Sequence, residues 1–177
     1  HARCDDSVGR WIDGRFRVFR RSRGFTPLPL ALEGEGPPIL ATGGLMKNTV
    51  CLSRDGRAFV SAHVGDLETP AGFGAVRDTA GHMDRLFQVA PTVLVHDSHP
   101  DAPTAGLNSD YPQASIMTVQ HHHAHIVSCM VENGFNDPVI GFAFDGTGYG
   151  DDGTLWGGEV LVATRKDYRR AAHLAPV

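Results

Sequence analysis

The sequence predicts an α/β protein whose mixed sheet is flanked by helices, and two observations indicate this class. Glycine-containing turns join pairs of short apolar runs near the start of the chain. Further along, apolar runs alternate with segments of helical periodicity. Hairpins place neighbouring strands antiparallel, whereas a helix between two strands allows parallel pairing. We therefore expect both directions in one sheet.

The first part of the chain predicts an arginine-rich hairpin. Two β-like runs, residues 7–11 and 16–19, are joined at Asp13-Gly14, and seven arginines lie between Arg3 and Arg23. Asp-Gly between apolar runs is a strong hairpin signal. The residues that follow are rich in proline and glycine, and residues 28–37 are therefore interpreted as a linker.

The rest of the chain predicts regular α/β structure after this linker. Apolar residues recur near the 3.6 period over residues 72–90, which predicts a helix, and a second helix is predicted over residues 121–133, before Gly134. Residues 139–144 are predicted to form a buried strand, followed by a glycine-rich turn over 146–158. Short apolar runs predict the other strands, at residues 39–41, 49–53, 58–63, 92–96, 117–119 and 159–164.

Composition excludes several classes of protein. The chain has 177 residues, of which 41% are hydrophobic and 20% charged, with a net charge of −4. This charge argues against a nucleic-acid-binding surface. There is no run of eighteen apolar residues, and we expect no membrane span. Three cysteines without a C-x-x-C pair indicate free thiols in a cytoplasmic protein. Because the first residue is histidine, we expect a segment of a longer chain.

The strongest candidate for chemistry is the run His121-His122-His123-Ala124-His125. Residues four apart lie on one face of a helix, so His121 and His125 can bind one metal ion through their imidazoles. His122 and His123 would then face the substrate, the outer shell of the site or solvent. The alternative is a chance cluster on a polar helix face, or a cloning tag.

Asp145 is the candidate third ligand. It follows an apolar run and opens Asp145-Gly146-Thr147-Gly148. Ligands often bind at the carboxyl edge of buried strands in α/β folds. Gly146 and Gly148 would let the backbone approach a phosphate. The alternative is an ordinary turn rich in glycine and aspartate.

Three other polar segments could line a site. Lys47, Asn48 and Thr49 follow two glycines and could bind phosphate, although their spacing is not that of a Walker A loop. The arginine cluster that contains Arg21 and Arg23 could grip a phosphate or carboxylate, or could be a solvated edge strand. The segment from His96 to Pro100 is interpreted as a loop that lines the site rather than as a nucleophile triad.

Seven motifs occur in this order: Arg3-Cys4-Asp5-Asp6-Ser7-Val8, Arg20-Arg21-Ser22-Arg23-Gly24-Phe25, Leu45-Met46-Lys47-Asn48-Thr49, His63-Val64-Gly65-Asp66-Leu67, His96-Asp97-Ser98-His99-Pro100, the histidine run, and Asp145-Gly146-Thr147-Gly148 with Trp156-Gly157-Gly158-Glu159. Together they resemble the HypF family, the carbamoyltransferases that mature nickel–iron hydrogenases.

The resemblance implies a division of the chain. Residues 1–27 resemble the end of a YrdC-like domain, which forms carbamoyl-adenylate from carbamoyl phosphate and ATP. Residues 28–37 are the linker. Residues 38–177 resemble the first half of a TsaD-like domain, an actin/Hsp70-type (ASKHA) fold that is incomplete here. That domain transfers the carbamoyl group to the carboxy-terminal cysteine of the partner HypE, for synthesis of the cyanide ligands of the active-site iron.

The resemblance also implies roles for residues. Its metal ligands correspond to His121, His125 and Asp145, and the ion would be iron or zinc. The expected catalytic residues are Lys47 and His122. ATP with magnesium and carbamoyl phosphate are the expected small molecules. Residues expected to bind nucleotide or phosphate are Ser7, Arg21, Arg23, Lys47, Asn48, Thr49, Gly146 and Gly148. Two other functions remain open: a sister transferase that acts on tRNA or a small-molecule hydroxyl, and an inactive metal-binding fragment.

Overall fold

A computed structural model describes residues 5–175, so Arg3 and Cys4 of the first motif lie outside the described residues. The chain forms two compact units. Unit 1 contains residues up to 96 and residues 101–117, and unit 2 contains residues 97–100 and the chain from 118 onward. Among the described residues, no helix has both the length and the apolar character needed to cross a membrane.

Unit 1 begins with the predicted hairpin. Strands β1 (Val8–Ile12) and β2 (Arg15–Arg20) pair antiparallel. Asp13 and Gly14 make the turn, with φ of 49° and 72°. Positive φ at both central residues is what a tight hairpin turn requires, and aspartate and glycine adopt it readily. The hairpin prediction is confirmed.

A six-stranded mixed sheet forms the main body of unit 1. The strands lie in the order β3-β6-β5-β4-β7-β8. Only β4 and β7 have a parallel register among the pairings described, which confirms the predicted mixed direction. The strands are β3 (Leu30–Ala31), β4 (Ile39–Ala41), β5 (Cys51–Arg54), β6 (Arg57–Val60), β7 (Val93–Asp97) and β8 (Ser115–Val119).

Two elements of unit 1 were not predicted. Strand β3 lies inside the expected linker and pairs with β6. It is too short to show alternation in the sequence. A 3₁₀ helix covers Pro103–Ser109, and it is likewise too short to show a helical period.

Helix α1 (Pro70–Phe87) confirms the helix predicted over residues 72–90. The Thr69 side chain accepts a hydrogen bond from the Gly72 N–H and caps the amino end, and proline follows at the first helical position. The apolar face of α1 belongs to the core of unit 1. The buried residues of this core are Leu40, Val50, Leu52, Leu67, Val76, Ala80, Met83, Leu94 and Leu107.

Unit 2 combines one helix with a three-stranded antiparallel sheet. Helix α2 (His121–Glu132) confirms the predicted histidine helix. The sheet order is β11-β10-β9, with β9 (Val139–Tyr149), β10 (Leu155–Ala163) and β11 (Tyr168–His173). Strand β11 was not predicted, because its sequence is mostly polar and lacks an apolar run. The core of unit 2 contains Ile126, Met130, Ala143, Trp156, Leu161 and Ala163.

Two predictions about β9 were wrong. The strand does not end near residue 145 but continues to Tyr149: the register is irregular between Phe144 and Gly148, and pairing resumes with Gly148 opposite Trp156. The turn is therefore confined to the residues between β9 and β10. The strand is also buried on one face only, since Ile140, Phe142 and Phe144 are 65–70% exposed.

Candidate metal centre

The candidate centre is built on the first turn of α2. The Gln120 side chain accepts a hydrogen bond from the His123 N–H and so caps the helix at its amino end. His121 and His125 are one turn apart and project from the same face. Asp145 lies in β9, the strand on which α2 packs.

Three ligand atoms converge at this place. His121 Nε2 lies 2.7 Å from Asp145 Oδ2, and His125 Nε2 lies 3.1 Å from the same oxygen. The two imidazole Nε2 atoms are 3.1 Å apart. Among residues 5–175, these three side chains form the group of histidine, cysteine and acidic residues that could hold a metal ion. The structure thus brings together the three residues predicted as ligands.

The distances and the donor set fit a divalent cation. In a tetrahedral site, bonds of about 2.0–2.1 Å to zinc would place neighbouring donor atoms about 3.3–3.4 Å apart. Two of the observed separations, both 3.1 Å, are near that spacing, and the third, 2.7 Å, is shorter. Lone pairs on two imidazoles and a carboxylate repel one another unless a proton or a metal ion lies between them. Nitrogen and oxygen donors of this kind suit zinc and iron.

Charges around the site favour a cation there. The hydrogen bond from His121 to Asp97, together with that to Asp145, outweighs burial and raises the pKa of His121 above its ordinary value. Burial alone would raise the pKa of Asp145, but hydrogen bonds from the Gly146 N–H, His121 and His125 lower it overall. Asp145 therefore carries its negative charge at neutral pH.

Asp97 lies on the other side of the His121 ring. Its Oδ2 is 2.6 Å from His121 Nδ1, and its Oδ1 accepts the His99 backbone N–H at 2.9 Å. These interactions outweigh burial, so the pKa of Asp97 lies below its ordinary value. Sequence reasoning placed this residue only in a loop that lines the site. The signal that could have identified it is its position at the last residue of β7.

His122 and His123 do not face the site. His122 is fully buried, with Nδ1 3.2 Å from the Gln120 amide nitrogen. Burial lowers the pKa of His122 and keeps it neutral. His123 is also buried, and its Nε2 is 2.8 Å from the Thr164 carbonyl oxygen. The His122 ring is enclosed in this structure, and its catalytic role remains a prediction.

Two domain models cover most of the chain. One is described as the HypF Kae1-like domain and matches residues 34–132, which is more than half of the sequence. The chain belongs to the HypF family. A second model, described as the second subdomain of the carbamoyltransferase Kae1-like domain, matches residues 141–177.

Individual HypF proteins resemble nearly the whole chain. Carbamoyltransferase HypF2 of Cupriavidus necator is 44% identical over 97% of this chain. Carbamoyltransferase HypF of Synechocystis is 40% identical, again over 97% of this chain. The match covers only 22% and 23% of those relatives, so the chain spans less than a quarter of their length.

Solved HypF structures have the same fold. The crystal structure of full-length HypF in the phosphate- and nucleotide-bound form superposes with a TM-score of 0.91 and 42% identity. It covers 98% of this chain, which in turn covers 23% of that structure. The HypF structure from T. kodakarensis has a TM-score of 0.88 and 37% identity, with the same coverage. The fold is therefore the mixed α/β Kae1-like HypF domain.

The Lys47 segment of this HypF chain lies in unit 1. Lys47 is exposed and has a φ of 50°, and its N–H donates to Asp66. Asn48 is buried, and its amide donates to the carbonyl oxygens of Thr42 and Gly44 at 2.8 Å. In this structure the Asn48 amide nitrogen has two internal acceptors, and phosphate binding by Asn48 remains a prediction. Lys47 and the partly buried Thr49 remain predictions.

The two glycines expected to bind phosphate have partners within the chain. The Gly146 N–H donates to the Asp145 carboxylate at 2.7 Å. Gly148 lies in the β9–β10 pairing. Phosphate binding by Gly146 and Gly148 remains a prediction.

The Ser7 hydroxyl donates to the Arg23 carbonyl oxygen, and Arg21 donates to the carbonyl oxygens of Phe25 and Leu28. Arg23 forms two hydrogen bonds with Asp6. In this structure these side chains hold the segment after the hairpin together. Phosphate binding by Ser7, Arg21 and Arg23 remains a prediction.

Proposed function

We propose that this chain supplies the metal-binding part of a HypF-type carbamoyltransferase. The observation that carries the proposal is the convergence of His121 Nε2, His125 Nε2 and Asp145 Oδ2 within 3.1 Å of one another. The ion would be zinc or iron, and when bound it would act as a Lewis acid on a carbonyl or phosphoryl oxygen.

The side chains of the centre have separate tasks in this proposal. His121 and His125 supply neutral nitrogen ligands from one rigid helix turn. Asp145 supplies one negative charge from β9, which attracts the cation and leaves it a net positive charge for a substrate oxygen. Because the three ligands come from a helix and a paired strand, their geometry is set before any ligand binds.

The reaction we propose follows from the family. Water would cleave carbamoyl phosphate to carbamate and inorganic phosphate, and a carbamate oxygen would then attack the α-phosphorus of ATP with magnesium, forming carbamoyl-adenylate and releasing pyrophosphate. The thiolate of a HypE-like carboxy-terminal cysteine would then attack the carbamoyl carbon, so that a carbon–sulfur bond forms and the bond to the adenylate oxygen breaks. The names of the relatives and the phosphate- and nucleotide-bound HypF structure support this assignment.

Cys51 cannot supply the thiolate. Burial raises its pKa to about 11, more than the nearby charge of Arg21 lowers it. The thiol therefore stays protonated and inert at neutral pH.

The test replaces His125 with alanine in a full-length protein that carries this segment. We expect loss of carbamoyl transfer to the acceptor cysteine, measured by mass spectrometry, with carbamoyl-phosphate-dependent ATP–pyrophosphate exchange retained. Metal content should fall in parallel. The matched control is His82→Ala, which removes an exposed histidine from α1. Unchanged transfer in His125→Ala would overturn the assignment of the site.

The same assay separates the other functions. Carbamoylation or threonylcarbamoylation of tRNA or a small-molecule hydroxyl in place of the cysteine thiol would indicate a sister transferase. Metal binding by the full-length protein without any transfer would indicate an inactive metal-binding protein.

A further inference from the structure

A buried carboxylate lies behind the candidate centre, on the side of His121 that faces away from Asp145. We infer that Asp97 is a positioning residue that holds the His121 ring so that Nε2, and not Nδ1, is presented to the metal. This inference rests on the proposed function, since it concerns a ligand of the same centre.

Asp97 is itself held in place. One oxygen, Oδ2, is 2.6 Å from His121 Nδ1, and the other, Oδ1, accepts the His99 backbone N–H at 2.9 Å. Both oxygens are therefore in use, and the carboxylate cannot rotate without losing one contact. The Asp97 side chain is 14% exposed, compared with 34% for Asp145. A carboxylate shielded in this way interacts more strongly with its partner than one in water.

Asp97 is not placed to be a ligand of the same ion. Nδ1 and Nε2 lie on opposite edges of the imidazole ring, so the ring separates Asp97 from the other ligand atoms. Among the described residues, the group that could hold a metal contains His121, His125 and Asp145 but not Asp97. Its contact with the centre passes through His121 alone.

The hydrogen bond determines which nitrogen is free. A carboxylate accepts, so Nδ1 must carry the proton, and in the neutral ring Nε2 then keeps its lone pair for a metal. The same bond restricts rotation of the ring and makes Nε2 more electron-rich. Without Asp97, the Asp145 carboxylate, 2.7 Å from Nε2, would favour the tautomer with its proton on Nε2, the nitrogen that the metal needs.

The test is zinc binding by the 177-residue chain, measured by competition with a chromophoric chelator at fixed pH. We expect Asp97→Ala to bind zinc about 10–100-fold more weakly than the wild-type chain. Asp97→Asn should lie between the two, because its one amide oxygen can accept from His121 or from His99 but not from both. The matched control, Asp137→Asn, removes an exposed carboxylate of unit 2 and should bind as the wild type does.

A second readout reports the ring itself. In the zinc-loaded wild-type chain, the His121 Nδ1–H should give a slowly exchanging, downfield proton signal in NMR spectra, assigned by its absence from His121→Gln. We expect Asp97→Ala to lose this signal while the signals of other buried histidines remain. A change in folding alone would alter those other signals too.

The outcomes distinguish the two proposals. If wild-type zinc binding is weak and is not altered by Asp145→Ala, the proposed metal centre is wrong and the inference falls with it. If the wild type binds zinc at the centre but Asp97→Ala binds equally well, or keeps the His121 signal, the inference alone is overturned.

Discussion

The two units surround their histidines with different partners. In unit 1, His96 is 4% exposed, with Nδ1 2.9 Å from the Thr42 hydroxyl and Nε2 2.6 Å from the Asn108 amide oxygen. In unit 2, the partners of His121 are two carboxylates and a second imidazole. Uncharged partners complete the hydrogen bonding of His96, whereas the partners of His121 create a place for a cation. The hydrogen-bond partners of these two histidines, and not the burial of their rings, therefore distinguish the structural residue from the candidate metal ligand.

The same contrast holds for charged side chains. In unit 1, Arg77 forms an ion pair with Asp110 at the surface. In unit 2, Glu159 is 1% exposed and receives two hydrogen bonds from Arg170, at 2.6 and 2.9 Å. The Arg170 guanidinium also stacks on Trp156, 4.2 Å from the ring centre. The carboxylate of this ion pair in unit 2 is thus buried, whereas the Arg77–Asp110 pair of unit 1 lies at the surface.

The largest loss of stability should come from breaking the ion pair between Arg170 and Glu159. Arg170→Met leaves the Glu159 carboxylate buried without its partner, and we expect a loss of about 3–5 kcal/mol in the free energy of unfolding. The control, Arg77→Met, breaks an exposed pair and should cost less than about 1 kcal/mol. Urea denaturation measures both. Equal losses in the two variants would contradict the contrast between the units.

A smaller effect is expected at His96. His96→Leu leaves the Asn108 amide oxygen without its donor, and it should cost about 1–3 kcal/mol while leaving zinc affinity unchanged. Thermal and urea unfolding measure the first quantity and chelator competition the second. His82→Ala, on the surface of α1, should stay within about 0.5 kcal/mol of the wild type. A fall in zinc affinity in His96→Leu would show that His96 also serves the metal centre.

The smallest expected effect concerns how the stability of the two units depends on pH. Burial alone would raise the pKa of Glu159, but the hydrogen bonds and charge of Arg170 lower it overall. Its contribution to stability is therefore present above the unfolded-state pKa of about 4.3 and is lost as pH falls.

The pKa of Asp84, in unit 1, shifts in the opposite direction. Burial raises this pKa by more than Tyr111 and Arg85 lower it. Its stabilising contribution is present at low pH and is lost as pH rises through the folded-state pKa. We expect Glu159→Gln to reduce the loss of unfolding free energy as the pH falls. Asp84→Asn should instead reduce the loss of unfolding free energy as the pH rises. Unfolding free energies measured between about pH 3 and pH 7 give the sign of each. Parallel curves for the two variants would contradict this assignment.

The helix with its two ligands could be predicted from sequence because a spacing of four residues places side chains on one helix face in any protein. Asp145 could be proposed since it follows the apolar residues of β9. Asp97 was not assigned to His121, because the contact joins residues 24 positions apart in the chain and depends on where β7 ends relative to α2.

Other errors have the same physical origin. Whether His122 points into the core depends on which face of α2 packs on the sheet, and the histidine run gives no sign of it. Gly146 and Gly148 indicate a turn when the sequence is read alone. In the structure, Gly148 instead pairs with Trp156 of β10. The exposed face of β9 could not be anticipated from an apolar run either.

The two glycines after Asp145 are not equivalent, although the motif presents them as a pair. A Cβ atom at Gly148 would lie 2.6 Å from Cε1 of the buried His122 ring, whereas one at Gly146 would meet nothing within 4 Å. Selection from a library randomised at both positions should therefore return glycine at 148 and a range of small residues at 146. The absence of a side chain at Gly148 therefore leaves room for the His122 imidazole between α2 and β9.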